Sequence, residues 1–316
     1  MSFDFDAAVN APFRMQPGLR RLAPGSTQLT PVAPGSRHQR EKLAVLSAFA
    51  DQALVARPGF DATAALDALC RHAAAEHPAV WAWDGTAAQA LDLGVRVGAG
   101  GHSVEQVSAG IFGLGDEISR AVSLQQPAWR LPALLSLAFE EDLAVVDASD
   151  ATVPWMAVAL PSHWAPDDKV GRHFAQIHAP VADGELLRRA GEALTRLVTG
   201  PERWERFVWN VTDSPRLHTH PRRVSSDRWS HDPQAQGLPR AWFRSERQTF
   251  IPVPDAGQSV FTIHVQVRLL DEVVVGPARA RRLAEAVQTM SPAVLAYRGL
   301  GAVRGPLLHW LAARSA

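Results

Sequence analysis

AWFRSERQTFIPVPDAGQSVFTIHVQVRLL, residues Ala241 to Leu270, decides the fold class. Two runs rich in Phe, Ile, Val and Thr flank Pro254, Asp255 and Gly257, residues that let a chain double back, so the stretch predicts two antiparallel strands. Residues two apart share one face of a strand. Arg244, Glu246 and Gln248 therefore fall on one side of the first strand, and Phe243, Ser245, Arg247 and Thr249 on the other. In the second strand His264, Gln266 and Arg268 share a face. If the two polar sets meet, they present six donors or acceptors. Such a face is either an exposed ion-pair ladder or the polar wall of a small-molecule or cofactor pocket.

Toward the N-terminus, FVWNV reads as another strand, and DLAVVDAS with VPWMAVAL as a hairpin or two adjacent strands. Helical segments are predicted around Asp167–Gln176 and Gly184–Val198, the second starting after Asp183 and stopping at Gly200–Pro201. ARARRLAEAVQTM and GPLLHWLAARS close the chain as helices. Before about Glu141, REKLAVLSAFADQALVA and DATAALDALCRHAAAEH repeat apolar residues at helical spacing, the latter behind Asp61 as N-cap. This segregation predicts an α+β fold with a largely antiparallel sheet. It divides the chain into a mainly helical region over 1–140, a sheet-bearing core over 141–275 and C-terminal helices over 276–316. No internal repeat, glycine-rich phosphate loop or nucleophile elbow interrupts it.

Composition narrows the functional classes. With 47% apolar and 20% charged residues the chain is an ordinary globular protein. Its 32 basic and 32 acidic residues cancel, so it lacks the global charge that nucleic-acid or anionic-membrane binding uses. One cysteine, Cys70, excludes an intrachain disulfide framework and a four-thiolate metal centre, and no thiolate-activating motif surrounds it. The N-terminus lacks a signal-peptide pattern, and no apolar run approaches the roughly 18 residues of a membrane span. A cytoplasmic location is the expectation.

Histidines dominate the candidate ligands. His178 stands where a helical segment meets Pro180 and can turn a ring nitrogen toward the sheet, as a metal or haem ligand or as a buried, hydrogen-bonded histidine. His163 reads as a turn residue and His173 as a residue on the charged side of a short helix. His218 and His220, two apart, place both rings on one face if extended. With His231 they could hold a metal, although no carboxylate or thiolate completes the set at a recognisable spacing. The long connection from Asp213 to Pro239 is a lid candidate. Ten tryptophans against one tyrosine, Tyr297, supply flat apolar rings for a core or a macrocycle pocket.

Several strings together carry a resemblance: PFRMQPGLRRL, EEDLAVVD, LPSHWAPDDKVGR, IHAPV, SERQTF, FTIH and AYRGL, in that order along the chain. The sequence resembles the haem-dependent oxidative N-demethylase family, whose members bind haem in a PAS-like domain. The resemblance implies a PAS-like antiparallel sheet with connecting helices, haem b ligated by His178, and Trp209 and His264 as further cofactor-binding residues. It implies polar contacts to oxygen, substrate or propionates from Arg244, Glu246, Arg247 and Gln248. It further implies oxidation of a small N-methyl amine by O2 with release of formaldehyde. Electrons would come from an external flavin or iron–sulfur reductase using NADPH, or a ferredoxin-type partner. A haem-based gas or small-ligand sensor, and a relative that has lost haem, are the alternatives. The chain departs from the family pattern at Val208, where an asparagine is expected, and at His264, Val265 and Gln266, where Arg, Thr and Tyr are expected. These changes predict an amine larger or less polar than dimethylamine.

Overall fold

The computed structural model describes residues 5–185, 189–225, 229, 238 and 240–315. Helix α1 (Phe5–Ala8) precedes strand β1 (Arg20–Arg21), and helices α2 (Arg37–Ala48) and α3 (Ala50–Ala53) join β1 to β2 (Leu54–Ala56). Ser36 caps α2 by accepting the Gln39 N–H at 3.2 Å. Helix α4 (Thr63–Glu76) buries Ala65, Leu69, Cys70 and Ala73 along one stripe. Asp61 sits one residue ahead of its N-cap and accepts the Thr63 N–H.

The region up to residue 140 is not simply helical. Strands β3 (Trp81–Trp83), β4 (Ala88–Ala90), β5 (Val95–Val97) and β6 (Val104–Gln106) form an antiparallel sheet in sequential order. Each is three residues long, too short for the alternation that marks a strand, and alanine and valine there resemble helix interior. Helices α5 (Glu117–Ser123) and α6 (Pro127–Ala138) follow, and α6 starts with proline at a position that needs no donor.

The second half matches the expected order. β7 (Asp142–Asp147) and β8 (Thr152–Ala157) pair as an antiparallel hairpin, and β9 (Trp204–Thr212), β10 (Trp242–Val253) and β11 (Gln258–Leu269) complete a seven-stranded antiparallel sheet in the order β1-β9-β10-β11-β7-β8-β2. Between β8 and β9 the first expected helix is a short 3-10 turn at Pro166–Asp168 followed by one turn, α7 (Phe174–Ile177). The second is described as α8 (Gly191–Val198). Helices α9 (Leu270–Val273), α10 (Gly276–Gln288), α11 (Pro292–Tyr297) and α12 (Arg304–Ala313) close the chain. No helix among the described residues is long and apolar enough to cross a membrane.

Both faces of the sheet are covered. Leu143, Val145, Trp155 and Val260 join the N-terminal helices and β3–β5 in the largest apolar cluster. Trp209, Val211 and Phe243 pack against Leu283, Val287, Leu307 and Leu311 of the C-terminal helices in a second. Parity along the strands puts these named strand residues on one face, here the back, while the first cluster wraps the sheet end to take in Ile263 and Val265 of the opposite face. The front face, with Ala144, Val146, Met156 and Phe250, packs against Ile177, Val170, Trp164 and Val198 from the β8–β9 connection. That connection is the cover of the front face.

Candidate functional site

Strand register decides which polar residues share a face. β10 and β11 pair from Trp242↔Leu269 to Val253↔Gln258, so Arg244 lies opposite Val267, Glu246 opposite Val265 and Gln248 opposite Ile263. The expectation that Arg244, Glu246 and Gln248 share a face with His264, Gln266 and Arg268 is overturned. Four residues separate the strands, so even-numbered residues of one meet odd-numbered residues of the other. The front face thus carries Arg244, Glu246 and Gln248 with Ile263, Val265 and Val267, and from β9 it gains Trp204, Arg206 and Val208.

His178, the C-cap residue at the end of α7, lies within electrostatic reach of Arg206 on this face. Its Nδ1 pairs with the Phe174 carbonyl at 2.8 Å, and its ring lies 4.1 Å from the Phe174 ring. A bond of that kind places the proton on Nδ1 and leaves the Nε2 lone pair available. Among the described residues nothing else hydrogen-bonds to the ring. Burial pushes its pKa down to about 4 against the opposing Phe174 bond, with the charges of Arg206 and Lys169 acting in the same direction as burial. The imidazole is neutral at pH 7, the form that ligates a metal.

The same sheet face carries a polar chain. The Ser162 hydroxyl donates to Glu246 Oε1, and Gln248 Nε2 donates to Glu246 Oε2 at 2.7 Å. Arg244 Nε donates to Ser162 Oγ at 2.7 Å. The rest of its guanidinium donates to the carbonyls of Leu160, Arg216 and Leu217 at 2.9–3.1 Å. Arg244 is therefore a clamp behind the site. Two further groups on this face lack partners among the described residues: Trp204 Nε1 and Arg206 Nε are buried donors with no acceptor. Arg206 also lies close enough to Glu246 for that carboxylate to oppose the burial that lowers its pKa. Buried unpaired donors beside a neutral imidazole suit an apolar ring carrying carboxylates.

The other predicted residues lie elsewhere. Arg247 is on the back face, paired with Glu205 at 3.0 Å and donating to the Thr27 carbonyl at 2.9 Å. Trp209, 4% exposed, stacks on Phe243 with centroids 5.6 Å apart and has the Arg298 guanidinium 4.9 Å from its ring. His264 points to the back and bonds Glu140 Oε2 at 2.8 Å. Of the departures from the family pattern, Val208 and Val265 line the front face and Gln266 does not.

His173 is the N-cap of α7, its Nδ1 accepting the Ala175 N–H at 3.1 Å. His163 has φ of 61° and its backbone N–H donates to Thr219, which makes it a turn residue as expected. His218 and His220 do put their rings side by side, 6.0 Å apart and 10° from parallel. His220 Nδ1, however, accepts the Arg222 N–H, so its Nε2 carries the proton and is no ligand. His231 lies outside the described residues. Within the 213–239 connection, Trp229 is anchored through its backbone to Asp213 and through Nε1 to the Gly299 carbonyl. Ser162 and Arg206 escaped notice in the sequence because only long-range pairing brings them to Glu246; Arg206, two residues before Val208 on the same face, carried the one usable signal.

An α+β protein whose helical cover brings a neutral histidine near Arg206, on a sheet face that also carries a carboxylate and unpaired buried donors, has the features of a cofactor-binding protein. A family model described as haem-dependent oxidative N-demethylase, alpha subunit-like, matches residues 41–308. The chain belongs to that family.

Proposed function

We propose that this chain is the haem-binding component of a monooxygenase that oxidises a small N-methyl amine and releases formaldehyde, with electrons from a separate flavin or iron–sulfur reductase using NADPH. The observation that carries the reading is His178, whose Nδ1 is committed to Phe174 while Nε2 keeps its lone pair beside the front face. A PAS-like description suits an antiparallel sheet with a helical connection laid over one face. Haem b, when bound, supplies an iron that takes electrons singly and leaves one position open for O2. His178 Nε2 would hold that iron, and the Arg206 and Trp204 donors would take the propionate carboxylates. Ile263, Val265, Ile177 and Trp164 would exclude water from the ring.

Glu246 receives the substrate. Aliphatic amines are cations at pH 7, like the lysine side chain, and a carboxylate fixed by Ser162 and Gln248 offers a localised counter-charge. The same oxygens can accept the proton that the amine gives up before oxidation. Val208 and Val265 add branched apolar groups to this face, which favours an amine larger or less polar than dimethylamine.

One set of spectra tests the proposal. The purified, haem-loaded chain should show a Soret band, and His178→Ala should lose most of its haem while its circular dichroism is unchanged. Glu246→Gln should keep haem but bind a bulky N-methyl amine about tenfold or more weakly, the worth of a charge-assisted hydrogen bond of roughly 1.5–3 kcal/mol. A full haem complement with an unaltered spectrum in His178→Ala would remove the ligand assignment. Equal amine affinity in Glu246→Gln would remove the role of the carboxylate.

A further inference from the structure

We infer that His38, Glu140 and His264 form a site for a divalent transition-metal cation of the zinc type on the back face of the sheet, separate from the haem-type site on the front. One ligand atom from each of the three lies within 4.8 Å of the other two. His38 comes from α2, Glu140 from the turn before β7 and His264 from the middle of β11, so only the fold brings them together. Two imidazoles and a carboxylate are a ligand set that zinc accepts in tetrahedral geometry with a water in the fourth position.

The hydrogen bonds around the cluster orient it for an ion. β11 runs past the start of β7, whose pairing ends at Ile263↔Asp142, and the Val265 carbonyl beyond it is bonded by His38 Nε2 at 2.7 Å. That bond puts the proton on Nε2. His38 Nδ1 is left to face Glu140 Oε1 at 3.5 Å, one acceptor opposite another. A cation between them converts the repulsion into two coordinate bonds.

His264 is arranged in the complementary way. Its Nε2 is 2.8 Å from Glu140 Oε2, and its Nδ1 is 3.7 Å from Glu141 Oε1. Glu141 is 1% exposed, and its Oε1 has no hydrogen-bond partner among the described residues, whereas Oε2 accepts the Thr30 N–H. An oxygen so placed takes the Nδ1 proton of a histidine that ligates through Nε2, the carboxylate–histidine–metal pattern. Charge points the same way. Lys42 acts on Glu140 at longer range, but its direct bonds go to Asp142 at 3.4 Å and to the carbonyls of Phe139 and Glu141, so among the described residues Glu140 is paired directly only with the two imidazoles. A cation held there balances the Glu140 carboxylate. The His38 and Glu140 side chains are 14% and 16% exposed, which leaves the ion a way in.

The test uses the full chain, stripped with a chelator, dialysed against micromolar zinc(II) and analysed for zinc and iron together by elemental mass spectrometry. About one zinc per chain is expected. His38→Gln and His264→Gln should each weaken zinc binding about a hundredfold, and Glu141→Gln, which removes only an orienting carboxylate, about tenfold. His220→Gln, outside the cluster, should leave it unchanged. If His264→Gln fails to fold, His38→Gln and Glu140→Gln carry the same comparison. Wild-type protein that retains no stoichiometric zinc, or ligand variants that hold it as tightly as wild type, would overturn the inference. Zinc and haem iron are counted separately, so failure here leaves the amine-oxidation reading intact, and the reverse.

Discussion

A histidine bonded through Nδ1 and a histidine bonded through Nε2 leave different nitrogens free, and this chain contains both. His178 gives Nδ1 to Phe174 and offers Nε2 to the front face; His38 gives Nε2 to Val265 and offers Nδ1 to the back. The sequence marks His178 through its place beside Pro180, but no pattern in it states which nitrogen a backbone carbonyl will claim. Acid sensitivity is likewise set one residue at a time. Asp84 accepts the N–H groups of Ala87 and Thr86 and the Thr86 hydroxyl, bonds that push its pKa down to about 2. In the unfolded chain the carboxyl returns to about 3.9. Because the folded value is the lower one, Asp84 contributes stability that is full above about pH 4 and lost as pH falls toward 2. Asp84→Asn should therefore flatten the melting-temperature profile between pH 4 and pH 2 and change little at pH 7. An unchanged acid slope in that variant would assign the sensitivity to other carboxylates.

At the scale of elements, Arg244 shows how a polar strand residue can serve architecture. Its guanidinium gathers the Leu160, Arg216 and Leu217 carbonyls and the Ser162 hydroxyl onto β10, and burial drives its pKa down to about 10. Arg244→Met keeps the volume and strips four acceptors of their donor. At roughly 1–3 kcal/mol for each buried group left unsatisfied, with partial relaxation, urea unfolding should register a loss of at least about 3 kcal/mol. A loss below 1 kcal/mol would show that the clamp is dispensable. The strands themselves were legible, since β7 to β11 are long enough for composition and turn residues to declare them. Their mutual register was not, because parity within one strand is silent about the number of residues in the turn. Thus Glu246 and His264, both even-numbered, ended on opposite faces. β3 to β6 are illegible for a different reason: in three residues the two-residue alternation of a strand has no room to repeat.

For the whole molecule, the resemblance legible in strings spread along the chain agrees with a family match over residues 41–308, while the contacts that join its halves left no local trace. Gln28 donates to Thr249 and to the Phe250 carbonyl across more than two hundred residues of chain. Electron supply is also a property of the whole. The single cysteine, Cys70, is buried in α4, where burial raises its thiol pKa, and the sequence holds no dinucleotide fingerprint. The chain with NADPH alone should give no sustained formaldehyde from an N-methyl amine, and adding a ferredoxin-type reductase should start turnover. Continuous release without a reductase would show an internal electron store.

The cover that carries His178 leaves the sheet at Ala157 and rejoins it at Trp204, and its first residues are pinned at once: Asp142 accepts the Ala159 and Leu160 N–H groups, and Ser162 reaches Glu246. The sheet thereby absorbs the entropy of closing that loop. Closure cost grows only logarithmically with length, about 0.6 kcal/mol for each doubling. The cover can lengthen or shorten at little expense to the strands beneath it, so the covering of the front face is free to drift faster than the part of the chain that holds the fold.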